Sequence, residues 1–188
     1  MKTITSKVSN EIIIKNSKFI GLIFNVTDEN EIKSILEDLR KKHKDATHIT
    51  YAWRLDNKQK FSDDGEPTGT AGNPIMEVIL KNDLINTLIV VIRYFGGIKL
   101  GAGGLIRAYS KVAREVLKLC TLNEYIKYNY YRLTVEYDDL KLLNSLTNDL
   151  TIETKSFDEK ISYIVKIKED EDNLNDKIKN TKVQIEKL

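Results

Sequence analysis

Two glycine-rich segments of this 188-residue chain group side chains that suit catalysis, metal binding or anion binding. The first segment, residues 61–74, contains Asp63, Asp64 and Glu66, and His48 lies shortly before it. Grouped carboxylates can ligate a hard divalent cation, or supply a general base whose proton affinity is raised by the neighbouring charges. Asp-Gly and Glu-Pro also favour tight turns, in which Asp side chains accept hydrogen bonds from backbone N–H groups. The segment is therefore open to three interpretations: a structural turn, a metal site or acid–base catalysis.

His48 alone does not establish a catalytic site. A single histidine is more often a hydrogen-bonded structural residue, because each catalytic use requires a second group held close to it. One cysteine and two histidines cannot form the usual zinc spacings, and the EF-hand spacing is absent as well. We therefore predict no cofactor and no catalytic residue, favour a binding protein over an enzyme, and leave the identity of any metal open.

The second segment, residues 93–107, contains five glycines between a predicted buried strand and a predicted helix. This arrangement directs free backbone N–H groups and the helix dipole at an anion. It is not a nucleotide fingerprint, since Ile106 stands where the dinucleotide motif needs Gly or Ala, and the chain has no Gly-Lys-Ser/Thr. The candidate phosphate-binding residues are Arg93, Lys99, Gly101, Gly103, Gly104, Arg107, Lys111 and Arg114.

The helix that follows these glycines carries a row of cations. Arg107, Lys111, Arg114 and Lys118 are spaced four, three and four residues apart, so they share one helix face. Glu115 is the one acidic residue between positions 93 and 118. Such a row is either an ordinary solvated face or a surface for phosphates, and RNA is the phosphate polymer we predict, because clustered cations give sequence-independent affinity.

Helices and strands of the first half must position both segments. Alternating and continuous apolar runs predict strands at residues 12–14, 19–26, 47–55 and 84–95, the last buried on both faces. A helix is predicted from Asp28, which forms a capping box with Glu31. A short helix over residues 74–80, capped by Asn73, and a long one over residues 105–119 complete this half.

In the second half of the chain, the pattern of apolar and polar residues predicts a separate domain. Strands are predicted near residues 131–137, 151–157, 161–168 and 183–185, with helices after the first and the third. This βαββαβ order is typical of a ferredoxin-like sandwich. We predict an α+β protein of two domains, residues 1–122 and 123–188.

Composition narrows the class of protein. A net charge of +2 and 41% hydrophobic residues indicate a globular chain, not a polybasic or acidic disordered one. A single cysteine fits a reducing compartment, and the longest apolar run is far shorter than the ~20 residues that span a bilayer. We expect a cytoplasmic protein with no membrane partner and no DNA-specific motif.

The two segments carry a family resemblance. The strings Tyr51-Ala-Trp-Arg54, Asp63-Asp-Gly-Glu-Pro-Thr-Gly-Thr-Ala-Gly72 and Arg93-Tyr-Phe-Gly-Gly-Ile-Lys-Leu-Gly-Ala-Gly-Gly-Leu-Ile-Arg-Ala-Tyr109 resemble those of the IMPACT/YigZ family. The second half is similar to the small C-terminal domain of the bacterial members through length and strand–helix pattern only. The resemblance implies a ribosomal protein S5 domain 2-like fold for the first domain, and a pair similar to domains IV and V of elongation factor G.

The resemblance also implies a role in translation. Eukaryotic relatives modulate a starvation kinase by competing for its activator, whereas no catalytic residue carries over from the bacterial members. Our hypothesis is therefore a cytoplasmic translation-associated protein that binds RNA or the ribosome through the basic segment and its helix. The alternatives are a metal-assisted hydrolase using the acidic segment and a protein-binding module of the translation stress response.

Overall fold

The computed structural model describes all 188 residues, which form two compact units, Met1–Tyr125 and Ile126–Leu188. The strands of the first unit are β1 (Lys2–Ile4), β2 (Val8–Ile14), β3 (Ser17–Asn25), β4 (His48–Arg54), β5 (Gln59–Ser62), β6 (Thr87–Tyr94) and β7 (Leu122–Glu124). Its helices are α1 (Glu29–Lys42), α2 (Gly72–Lys81) and α3 (Ala102–Lys118). The second unit contains β8 (Tyr128–Val135), α4 (Leu140–Leu146), β9 (Thr151–Phe157), β10 (Ile161–Lys168), α5 (Leu174–Ile178) and β11 (Gln184–Lys187).

The first unit is built on an antiparallel five-stranded sheet in the order β2-β3-β6-β4-β5. Its central strand, β6, is buried from Thr87 to Arg93, which confirms the prediction of a strand covered on both faces. One face packs against α1 through residues such as Ile32, Trp53 and Ile92. The other packs against α2 and α3 through residues that include Ile75 and Val112.

The helix ends depart from the prediction at two places. The Asp28 cap of α1 is confirmed, since its carboxylate accepts the N–H groups of Asn30 and Glu31. Asn73 is not the cap of α2, which already begins at Gly72, because the carboxylate of Asp63, nine residues earlier, accepts the N–H groups of Ala71 and Gly72. Helix α3 begins at Ala102 instead of residue 105, so two glycines of the loop belong to its first turn.

The first unit extends to Tyr125. Strand β7 pairs with the N-terminal strand β1, and the Tyr125 N–H donates to the carbonyl of Met1. The residues that join the long helix to the second unit are therefore partly a strand, and the first unit ends three residues beyond the predicted boundary at residue 122.

The second unit has the sheet order β11-β8-β10-β9, in which every neighbouring pair is antiparallel. Counted within this unit the order is 4-1-3-2, and α4 and α5 bury Leu143, Leu174 and Ile178 in one core with the sheet. The α+β class and the ferredoxin-like βαββαβ order are thereby confirmed. None of the helices in either unit combines the length and the hydropathy needed to cross a lipid bilayer.

Close packing of α3 on β3 generates a first prediction. A Cβ on Gly21 of β3 would lie 2.8 Å from Val112 Cγ1 and 3.3 Å from Val116 Cβ of α3, and 2.5 Å from Asn10 Oδ1 of β2. Gly21→Ala should therefore lower the free energy of unfolding by about 1–3 kcal/mol through overpacking. Trp53, the only tryptophan, lies in this unit and reports its unfolding in urea.

The control is Gly103→Ala, in the first turn of α3. Its Cβ would meet only the tip of Arg107, at 3.5 Å, so this change should be neutral or stabilise by up to about 1 kcal/mol. Equal stabilities for the two variants would contradict the packing described for Gly21.

Candidate functional site

Asp63 serves as a structural cap within the acidic segment. Its Oδ1 accepts the N–H groups of Ala71, at 3.0 Å, and Gly72, at 2.8 Å, while Oδ2 accepts that of Gly69 at 2.8 Å. The carboxylate thus satisfies backbone donors at the start of α2, which have no partner within the helix. Of the three interpretations of the acidic segment, the structural turn is the one that Asp63 fits.

Asp64 anchors the segment to the sheet and to α1. Its Oδ2 accepts the N–H of Ile49 at 2.6 Å, and its Oδ1 accepts Arg40 at 3.0 Å. Its backbone carbonyl accepts a hydrogen bond from His48 Nδ1 at 2.8 Å. Because a carbonyl can only accept, the proton of a neutral His48 is on Nδ1, and Nε2 is left as the basic nitrogen.

Glu66 is different, because it is buried among charged and polar groups. Its side chain is 4% exposed, and its Oε1 accepts hydrogen bonds from Arg93 Nη1 and from the Tyr109 hydroxyl, both at 2.6 Å. Its Oε2 lies 3.8 Å from His48 Nε2. The acidic segment, the end of β6 and the middle of α3 therefore meet at one carboxylate.

Arg93 completes this buried network from the sheet side. The residue is 5% exposed, and its Nη2 donates to the buried Ser17 hydroxyl at 3.3 Å. The guanidinium carbon lies 5.5 Å from the ring centre of Phe19 and 5.4 Å from that of Phe95, distances typical of cation–π contacts. Arg93 thus lies inside the unit, apart from the exposed cations of α3, and its charge is balanced by that of Glu66.

The carboxylates do not converge on a metal site. Asp63, Asp64 and Glu66 are each held by separate donors, and no group of three or more His, Cys, Asp or Glu side chains is placed to hold a metal ion. His48 and Glu66 are the two acidic-segment candidates that come together. The two glycine-rich segments, which the sequence analysis did not assign to one site, are joined directly by the ion pair of Glu66 and Arg93.

The N-terminus of α3 opens onto a cavity beside this network. Gly101 has a φ of +69°, no side chain caps the helix, and its first turn contains no acidic residue. The cavity has a volume of about 430 Å³. Its lining consists of Thr47, His48, Glu66, Pro67, Arg93, Phe95, Lys99, Leu100, Gly101, Ala102 and Leu105.

The basic row of α3 lies on the surface. Arg107, Lys111, Arg114 and Lys118 are all exposed, and Lys118 pairs with Glu115 at 2.8 Å. A hydrogen bond from Lys118, together with the charges of Lys111 and Arg114, lowers the pKa of Glu115. A shallow depression of about 240 Å³ brings Lys15, Gly104, Arg107 and Lys111 together.

Sequence reasoning missed three contributors to these sites. Lys15 lies in the β2–β3 hairpin, and Ser17 and Tyr109 are fully buried. Only Tyr109 had a detectable signature, since a tyrosine on the apolar face of a helix needs a partner for its hydroxyl. Burial, followed by the hydrogen bond to Glu66, raises the pKa of Tyr109 well above its usual range.

Comparison with known proteins shows where this architecture recurs. The sequence profile described as the Impact N-terminal domain matches residues 15–117. The chain is 48% identical over 118 residues to the IMPACT family member YvyE of Bacillus subtilis (strain 168), which covers 61% of this chain and 54% of YvyE. It is 36% identical over 138 residues to the IMPACT family member YigZ of Escherichia coli (strain K12), and this match covers 71% of this chain and 68% of YigZ.

A solved structure extends the similarity to the full length. It is described as the crystal structure of a hypothetical protein, and it superposes with a TM-score of 0.72 at 28% sequence identity. The superposition covers 98% of this chain and 95% of the other. The matched part of the chain nevertheless spans only about half the length of YvyE.

The buried network predicts unequal effects of two conservative changes. Glu66→Gln leaves the Arg93 charge buried without its counterion and should lower the free energy of unfolding by about 3–5 kcal/mol. Tyr109→Phe removes one hydrogen bond while the ion pair remains, so the loss should be about 1.5 kcal/mol. Urea unfolding followed by Trp53 fluorescence measures both, and a smaller loss for Glu66→Gln would contradict the ion-pair account.

The raised pKa of Tyr109 also predicts a pH dependence. Above pH ~10 the unfolded tyrosine loses its proton while the folded one keeps it, so wild-type stability should fall as pH rises. Tyr109→Phe lacks this contribution, and the stability gap between the two proteins should narrow by about 1.4 kcal/mol per pH unit above pH 10. Urea unfolding of both proteins at pH 8, 10 and 11 tests this, and a constant gap would count against it.

Proposed function

The chain belongs to the IMPACT family, and on that premise we propose that it is a cytoplasmic, translation-associated protein that binds RNA, free or within the ribosome, through the exposed face of α3. The observation that carries the proposal is the row Arg107, Lys111, Arg114 and Lys118, which is exposed along one helix face. Sequence-independent affinity for nucleic acid arises from such phosphate-facing cations. The link to translation rests on the family resemblance.

The dimensions of the row suit a phosphate backbone. Arg107 and Lys118 are eleven residues apart, which corresponds to about 16 Å along a helix. Lys15, from the β2–β3 hairpin, widens the row beside Arg107 and Lys111. A surface of this length faces several consecutive phosphates, and its charge is opposed within α3 only by Glu115.

Glycines at the start of α3 contribute backbone N–H groups to the proposed surface, whereas the cations contribute charged side chains. The N–H groups of Gly103 and Gly104 belong to the uncapped first turn, where the helix dipole favours a negative group. Lys99 and Gly101 precede this turn. Arg93 supports the surface indirectly. It donates to Glu66, and the same carboxylate oxygen accepts the Tyr109 hydroxyl of α3.

The hydrolase alternative lacks a comparable observation. Each acidic-segment carboxylate is occupied by its own backbone or side-chain donors, so the segment offers no shared metal site. A protein-binding role remains as an outcome of the experiment below.

The proposal predicts salt-dependent RNA binding that depends on α3. Binding of the full chain to structured RNA should weaken with salt, with a log–log slope of about −0.7 to −0.9 per phosphate neutralised. The double variant Arg107→Glu, Lys111→Glu should bind more weakly, and the magnitude of its slope should fall by about 1.4, that is ~0.7 per lost phosphate contact. Fluorescence anisotropy at a series of salt concentrations gives both values.

The matched control is Lys33→Glu, Lys44→Glu, which changes the net charge equally at exposed positions on and after α1. Equal binding by the wild type and the α3 variant would overturn the proposal, as would equal weakening by both double variants. Capture from cell extract of a protein partner whose binding is insensitive to salt and to RNase would favour the protein-binding module instead.

A further inference from the structure

The cavity beside the N-terminus of α3 has the composition of a small-molecule site. Its volume, about 430 Å³, lies within the range of ligand pockets. It combines the charged side chains of Lys99 and Arg93 with the backbone of Gly101 and Ala102. Such sites are typically apolar, with a few polar groups that fix the orientation of the ligand.

Electrostatics in the cavity favours an anion. Helix α3 runs for 17 residues from Ala102, and its first N–H groups have neither a capping side chain nor a nearby acid within the first turn. Lys99 adds an exposed ammonium group to the same lining. Glu66 is the only acid in the lining, and its Oε1 is already occupied by Arg93 and Tyr109.

A second, independent observation comes from Arg93. Its side chain is 6% exposed, and its Nη1 and Nη2 donate to Glu66 and Ser17. Its Nε, although buried, has no acceptor among the protein groups. Buried donors of this kind are rarely left without a partner in native proteins. Arg93 lines the cavity, and a small rotation of its guanidinium would bring the buried Nε within reach of an oxygen of a bound anion.

The rest of the lining indicates what the anion is attached to. Phe95 is large and apolar yet 45% exposed, and Pro67, Leu100 and Leu105 line the same cavity. Nucleobases stack on exposed aromatic rings whatever their sequence. From these contacts we infer that the cavity binds a nucleotide through a terminal phosphate monoester, with the phosphate at Lys99 and the first turn of α3 and the base against Phe95.

This site does not depend on RNA binding by the basic row. Two sources can present the same chemistry, namely a free nucleoside monophosphate and the 5′-terminal nucleotide of an RNA strand. Leu100 lines both this cavity and the depression that contains Arg107 and Lys111, so a strand ending in the cavity continues towards the basic row.

The test is NMR titration of the full-length protein with AMP, adenosine and inorganic phosphate. AMP should shift the backbone amide signals of Ala102, Gly103 and Gly104 and the Nε–H signal of Arg93. Inorganic phosphate should shift the same signals more weakly, and adenosine should leave those of the first turn unchanged. Absence of shifts at these groups with millimolar AMP and with the 5′-phosphorylated RNA described below would overturn the inference.

Variants of exposed residues test separately the contacts proposed for the phosphate and for the base of the ligand. Lys99→Glu should weaken AMP binding about tenfold by removing an ion pair, and Phe95→Ala about tenfold by removing the stacking surface. Lys111→Glu, on the same helix but outside the cavity lining, should leave AMP binding unchanged while weakening RNA binding. Unchanged urea unfolding checks that each variant is folded, and equal AMP affinity for wild type and Lys99→Glu would contradict the assignment.

Short RNAs of one sequence with a 5′-phosphate or a 5′-hydroxyl distinguish the two sources. If the strand end is the ligand, the phosphorylated RNA shifts the first-turn amides and binds about tenfold more tightly, and Lys99→Glu abolishes this difference. If free nucleotide is the ligand, AMP shifts the amides and both RNAs bind alike. RNA binding that fails for both strands while AMP still shifts the amides would overturn the proposed function and leave the nucleotide site standing.

Discussion

The first unit depends on one desolvated interaction, the hydrogen-bonded contact of Glu66 with Arg93 and Tyr109. These residues come from the acidic segment, from β6 and from α3, which are far apart in the chain. A carboxylate and a guanidinium removed from water are tolerated only when each satisfies the other, so the acidic segment and β6 must meet at this pair. The Tyr109 hydroxyl joins the middle of α3 to the same carboxylate.

The buried ion pair also gives Arg93 a different role from the exposed cations of α3. Arg93 belongs to the interior, where it neutralises Glu66 and packs between two aromatic rings. The cations of α3 remain outside, where the apolar side of the helix, including Val112 and Val116, holds it on the sheet. The helix therefore has an apolar side packed on the sheet and a basic side exposed to solvent, on which Glu115 pairs with Lys118.

Local patterns in the sequence predicted most of the fold. The alternation in β10, the apolar run of β6 and the Asp28 cap are short-range features, and they specify elements without reference to the rest of the chain. The cap of α2 by Asp63 was predictable only as a turn within one segment, because no spacing rule links a carboxylate to a helix that begins nine residues later. The burial of Arg93 depends on Glu66, 27 residues away, and was not predictable. Arg93 extends the apolar run that ends at Ile92, and in retrospect this continuation is the one local indication that it lies inside.

The central claim is that RNA lies along α3 of the first unit, and crosslinking tests it most directly. Ultraviolet irradiation of cells that express the full chain, followed by digestion and mass spectrometry, identifies the peptides attached to RNA. We expect nucleotide adducts within residues 95–118, and their loss in the Arg107→Glu, Lys111→Glu variant. Adducts confined to residues 126–188, or none at all from a well-expressed protein, would contradict the account.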